Sequence, residues 1–244
     1  MINFKKYGKR CLSLFLAASM ILMPAVQIFA EEETAAATTD STQTAEEDRE
    51  TQRQNCYAIV PDSNSVENWP QGPATYADSA IVMDMNSGAV LYSKQIEKKH
   101  YPASITKLLT TLVALDNAEL TDTVEFSQDS ISFLEYGDAH IGMTPGEQIS
   151  MEDALYAVLL ASANEVSYAV AESVGKKMGG GYDTFIQAMN DESEKLGCTG
   201  SHWMNANGLH DEQHYTTAHD MARIGAAVYQ KEAFRTIRFR QRIL

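Results

Sequence analysis

The sequence predicts an α/β (α+β) fold in which a cluster of helices packs on an antiparallel sheet. Three observations carry this expectation. Two β-rich runs flank a turn near residue 87, helical periodicity dominates from 102 to 230, and capping residues bracket the helical runs.

The β-rich runs, 80–85 and 89–93, are joined by Asn86-Ser87-Gly88, a hairpin signal in which glycine can take positive φ. The pattern then changes. Ile105, Leu108, Leu109, Leu112 and Val113 recur at three and four, with Pro102 fitting the first turn of the helix. A second helix opens at Ser150, whose Ser-Met-Glu-Asp run resembles a capping box, and continues through Leu155, Val158 and Leu159 to about Ser162. Further helices fit 165–175, 183–196 (stopped by Gly197) and 217–230, the last with Thr217 and Asp220 as a cap pair.

A length of 244 residues suits one main domain with flanks. Residues 1–30 carry Lys5, Lys6, Lys9 and Arg10, then an apolar run and a small residue at Ala30, which predicts a secretory signal peptide and an extracytoplasmic protein. Residues 31–75 read as a disordered acidic linker and lead-in segment, because their first part is rich in Glu, Thr, Ala and Gln with no apolar period. The folded domain is then 76–244. The formal charge of −14 becomes −18 once the leader is removed, with 15 basic against 33 acidic residues, so the overall field repels nucleic acid and anionic lipid. Cys56 and Cys198 are read as free thiols, although their spacing also permits one bridge.

The chemistry centres on "HYPASITKLL". A serine hydroxyl is a weak nucleophile until a base removes its proton, and lysine serves only when burial or neighbouring charge lowers its pKa. Ser104 and Lys107, three apart at a helix start, share a face, and free backbone N–H groups there favour developing negative charge. An S-x-x-K match alone is weak, since Ser173 and Lys176 form a second one. The S-x-N run Ser162-Ala163-Asn164 strengthens it. That run falls between two helices, where a hydroxyl can relay a proton and an amide can hold a substrate amide. His210, His214 and His219 fit no zinc motif, and neither a metal nor an organic cofactor is expected.

"YPASITKLLTTLVAL", "LLASANEVSYAVAE" and "MNANGLHDEQHYTTAHDMA", with the "IVMDMNSGAVLY" hairpin, resemble the serine D-alanyl-D-alanine carboxypeptidases, the low-molecular-mass penicillin-binding proteins. The resemblance covers about 76–232 and implies a β-lactamase/penicillin-binding transpeptidase-like fold. It further implies that Ser104 attacks the carbonyl between two terminal D-alanines, that Lys107 takes its proton, that Ser162 passes a proton to the leaving D-alanine and that Asn164 binds the peptide. The implied partners are peptidoglycan stem peptides ending in D-Ala-D-Ala and β-lactams as covalent inhibitors. The family's Lys-Thr-Gly motif is absent, as is Lys-Ser-Gly. The later sheet strands are expected to be missing, and the chain as written to be an incomplete carboxypeptidase of little or no activity. Two rivals are a non-catalytic penicillin-binding or wall-associated remnant and a class A β-lactamase, the latter lacking its Glu-x-x-Leu-Asn segment after Asn164. The terminal "FRTIRFRQRIL" reads as a truncated or frame-altered end sooner than as a short basic membrane-touching tail, being too short for a firm anchor.

Overall fold

The protein is described by a computed structural model covering residues 46–239. The leader expected over 1–30 lies outside the described residues. Contacts divide the chain into two units at Arg49/Glu50. In the first, residues 46–49 are helical, and everything below concerns the second.

The second unit opens with helix α1 over 50–58 and a 3-10 turn at Asp62–Ser65. Strands β1 (Ala80–Met83) and β2 (Val90–Lys94) pair antiparallel, with Ala80 opposite Lys94 and Val82 opposite Tyr92. The expected turn is present, Gly88 having φ +72°. A 3-10 turn, Ala103–Thr106, then leads into α2 (Lys107–Asn117). Next come β3 (Thr123–Glu125), the short α3 (Asp129–Ser132), β4 (Gln148–Ser150) and α4 (Met151–Leu160). Helices α5 (Asn164–Lys177), α6 (Tyr182–Lys195), α7 (Ala218–Tyr229) and α8 (Glu232–Phe239) follow. Both caps read from the sequence form: Ser150 Oγ accepts from Asp153 N–H, and Thr217 Oγ1 from Asp220 N–H.

Helix α2 is buried nearly all round, through Leu109, Leu112, Val113 and Ala114, because α4, α5, α6 and α7 all pack against it. Val166, Ala169, Val170 and Val174 of α5 and Phe185 and Met189 of α6 share one buried core with it. This central position is what lets a polar side chain at its first residue be drawn out of water.

The expected antiparallel pairing is present, as two separate two-stranded ladders, β1–β2 and β3–β4. The three-residue strands β3 and β4 are too short to show alternation in sequence. The linker expected over 31–75 is ordered where it is described: α1 is supported by a Glu50–Arg53 ion pair and a Gln54 Nε2–H bond to Glu50 Oε1. Beyond α1, Trp69 Nε1 donates to Leu91 O, Tyr92 Oη donates to Pro73 O, and Gly72 N donates to Asn64 Oδ1. Polar ties of this kind leave no apolar period to read. The tail expected after Ala233 is instead α8, whose Phe234 and Ile237 enter the core one turn apart.

The strongest of these polar ties is Lys94. It is fully buried, and its Nζ donates to Cys56 O at 2.6 Å, Thr75 O at 2.8 Å and Ala77 O at 2.8 Å. Three carbonyls satisfy all three ammonium donors and fasten α1 and residues 75–77 to the edge of β2. Lys94→Met leaves those carbonyls unpaired, so the urea midpoint should fall by an amount worth about 2–4 kcal/mol. An unchanged midpoint would show that the ties contribute nothing.

Candidate active site

Ser104 lies on the 3-10 turn ahead of α2 rather than on the α-helix itself. With three residues per turn, positions i and i+3 eclipse, so Lys107 reaches straight back to the serine. Lys107 Nζ donates to Ser104 Oγ at 3.2 Å, to Asn164 Oδ1 at 2.8 Å and to Asn207 O at 2.7 Å. The lysine is 2 % exposed while Ser104 is exposed, so the hydroxyl faces outward over a buried amine. Burial lowers the Lys107 pKa to about 8, against the opposing charges of Glu165 and Asp138.

The second S-x-x-K pair shows the contrast. Lys176 sits on the surface of α5 in an ion pair with Glu172, and no hydrogen bond to Ser173 is present among the described residues. Spacing alone therefore does not make the pair; insertion of the helix into the core does.

Asn164 is the first residue of α5 and 5 % exposed. Its N–H donates to Ala139 O at 2.8 Å, and its Nδ2 makes no hydrogen bond among the described residues. Ser162 occupies the corner between α4 and α5 with φ +55°. It is half-buried and makes no hydrogen bond to Ser104 or Lys107 among the described residues. The structure thus gathers Ser104, Lys107 and Asn164 around one nitrogen, with Ser162 two residues from that cluster in sequence but not bonded to it.

Sequence reasoning missed the third wall. The loop "NANGL" presents Asn207 O to Lys107 through a chain of local bonds: Asn205 Oδ1 accepts from Gly208 N–H, Asn205 Nδ2 donates to Leu209 O, and Asn207 Oδ1 accepts from Leu209 N–H. Thr110 Oγ1 holds the same loop through Ala206 O. Gly208 has φ +86°, and a Cβ there would lie 1.9 Å from Ala103 O. The loop is seated directly against the backbone that carries the nucleophile. Ala103 itself has φ +49°, a left-handed conformation uncommon for alanine.

His214 locks the other side. Its Nδ1 accepts from Met204 N–H at 3.0 Å, so the neutral ring carries its proton on Nε2, which bonds Thr106 Oγ1 at 2.8 Å. Burial pushes its pKa down to about 4, which keeps the ring neutral at physiological pH. The three histidines of the sequence go to different places: His210 meets Tyr101 edge-on and His219 Nδ1 pairs with Glu97 Oε1. Both cysteines are free; burial raises the Cys198 thiol to about 11. A cavity of about 310 Å³ opens beside Pro102 and Ile105, lined also by His100, Tyr101, Thr216 and Met221.

An exposed serine over a buried, hydrogen-bonded lysine, with an amide across from it, sits on a mixed helical and β framework. Solved structures share that framework. A D-alanyl-D-alanine carboxypeptidase from Mycobacterium tuberculosis superposes with a TM-score of 0.60 at 31% identity, over 73% of this chain and 64% of that one. Penicillin binding protein 6B from Escherichia coli, at 24% identity, shares the fold with a TM-score of 0.65 over 71% of this chain and 56% of that one. Among curated relatives, the D-alanyl-D-alanine carboxypeptidase DacF of Bacillus subtilis is 34% identical over 151 residues, 60% of this chain and 37% of the relative. Residues 66–241 match the peptidase S11 model, described as D-alanyl-D-alanine carboxypeptidase, and the chain belongs to that family. It spans 37–44% of the length of the first three curated relatives it matches.

Proposed function

We propose that this chain carries the acylating centre of a serine D-alanyl-D-alanine carboxypeptidase acting on peptidoglycan stem peptides, with β-lactams trapping the same serine. The observation that carries the reading is the surround of Lys107 Nζ. Asn164 Oδ1 and Asn207 O lie at 2.8 and 2.7 Å, so in the neutral amine they take the two N–H groups. The third direction faces Ser104 Oγ, and the lone pair points there.

In the proposed step, that lone pair takes the Ser104 hydroxyl proton as Oγ attacks the carbonyl carbon between the two D-alanines. A tetrahedral oxyanion forms. As it collapses, the C–N bond breaks and the departing amine takes up a proton from the Lys107 ammonium, with Ser162 at the α4–α5 corner assigned to the relay. Water then attacks the acyl-serine ester and frees Ser104. Asn164 Nδ2, unengaged among the described residues, is suited to hold the substrate carbonyl. The reading carries with it an extracytoplasmic location, in keeping with the basic and then apolar order of residues 1–30.

Two measurements on the 244-residue chain test this reading. Fluorescent penicillin should label it only at Ser104, with Ser104→Ala unlabelled. Any release of D-alanine from a pentapeptide mimic should be lost in Ser104→Ala. Labelling that survives in Ser104→Ala, or no labelled Ser104 peptide at any penicillin concentration, would refute the acyl-serine reading.

A further inference from the structure

Glu165 follows Asn164 in the first turn of α5 and is fully buried. Its Oε1 accepts the Ile141 N–H at 2.7 Å, while the neighbouring Asn164 N–H reaches Ala139 O at 2.8 Å. Together these bonds tie residues 139–141 to the start of α5. Its Oε2 is equally buried and has no hydrogen-bond partner among the described residues.

A glutamine would serve the Ile141 N–H through its own carbonyl oxygen without bringing a charge into the interior. Burying a carboxylate with one oxygen unpaired is costly unless an opposite charge lies close by. The cation that feels it is Lys107, itself buried and bonded to Asn164, the residue before Glu165. We propose that Glu165 is a positioning residue for the acylation step, acting on Lys107 through its charge while the same side chain pins the 139–141 strip against Asn164.

The charged groups acting on Lys107 are Glu165 from α5 and Asp138 from the loop before Ala139; the 205–209 loop contributes the neutral Asn207 carbonyl, and His214 behind Thr106 is neutral. Both carboxylates favour the ammonium and oppose the burial that disfavours it. Without Glu165, burial would carry Lys107 further below the ordinary lysine range and leave it a weaker base. The inference rests on Lys107 being the base of the proposed reaction, but its test does not require turnover.

Lysine-selective ¹³C labelling of the full chain lets the Lys107 Cε resonance be titrated in the parent and in Glu165→Gln, with amide exchange at Ile141 followed in parallel. Lys107 should bind its proton about tenfold more weakly in Glu165→Gln, while Ile141 stays protected because the glutamine carbonyl still accepts. An unchanged Lys107 midpoint in the folded variant overturns the proposal. Should Glu165→Gln not fold, Glu165→Asp decides. A charge role leaves the Lys107 midpoint near that of the parent although Ile141 protection is lost, and a midpoint that moves with the protection overturns it. Failure of the parent to label with penicillin would sink the acyl-serine reading and leave this titration standing.

Discussion

Replacing Lys107 by methionine should slow acylation of Ser104 by fluorescent penicillin about 10²–10⁴-fold, the range that a positioned general base supplies. The comparison needs penicillin concentrations high enough for labelling of the parent chain to be measurable. The parent should also show a rate that climbs with pH. Lys107 accepts the serine proton only when neutral, and with its pKa lowered to about 8 by burial it is about one-tenth neutral at pH 7 and about nine-tenths neutral at pH 9. The acylation rate should therefore rise about tenfold between those values and level off above them. In Lys107→Met that rise should vanish along with the amplitude. A methionine variant that labels at the parental rate would remove lysine from the mechanism and leave the serine activated by something else.

Gly208→Ala should be nearly as damaging, although residue 208 makes no contact with Lys107 Nζ. The added Cβ would fall 1.9 Å from Ala103 O and 3.0 Å from Thr106 Oγ1, on a backbone at φ +86°. Left-handed backbone at a non-glycine residue costs about 1–3 kcal/mol before any clash is counted. The clash cannot be relieved by a flexible side-chain tip, because its nearest atom is backbone. Either the 205–209 loop withdraws, taking Asn207 O from Lys107, or Ala103 and Ser104 shift. Misplacement of about 1 Å can cost about 10²-fold in rate, so acylation should fall by about that factor while the folded chain persists at reduced urea midpoint. Labelling at the parental rate would mean that the loop does not help to hold the site.

Much of this site was legible in the sequence, and the reason is local. Ser104 and Lys107 belong to one turn, so their spacing puts them within reach, although burial of the lysine is what makes the pair. The caps at Ser150 and Thr217 are likewise settled within three residues. Asn164 could be named from its motif, but its 2.8 Å bond to Lys107 depends on α5 packing against α2, which no local pattern specifies. The Asn207 carbonyl was illegible for a stronger reason: a main-chain oxygen has no side-chain identity, and only the fold brings it across 100 positions of sequence. Glu165 was hidden differently. A glutamate in the first turn of a helix reads as a solvated, dipole-favoured residue, and its burial comes from the loop that closes over it. The order of residues 50–75 was missed because it is held by the Lys94 ammonium and scattered polar ties rather than by an apolar stripe.

Ala103 precedes Ser104 and Ser162 lies two residues before Asn164, each twisted into left-handed backbone that glycine would adopt freely. The chain thus keeps tension at the two corners that aim its nucleophile and its amide. A variant with glycine at either corner would be released from that tension and would gain resistance to heat, yet the corner would swing more widely. Robustness and aim are set against each other at these two residues, and selection for a hardier protein would erode the site there first.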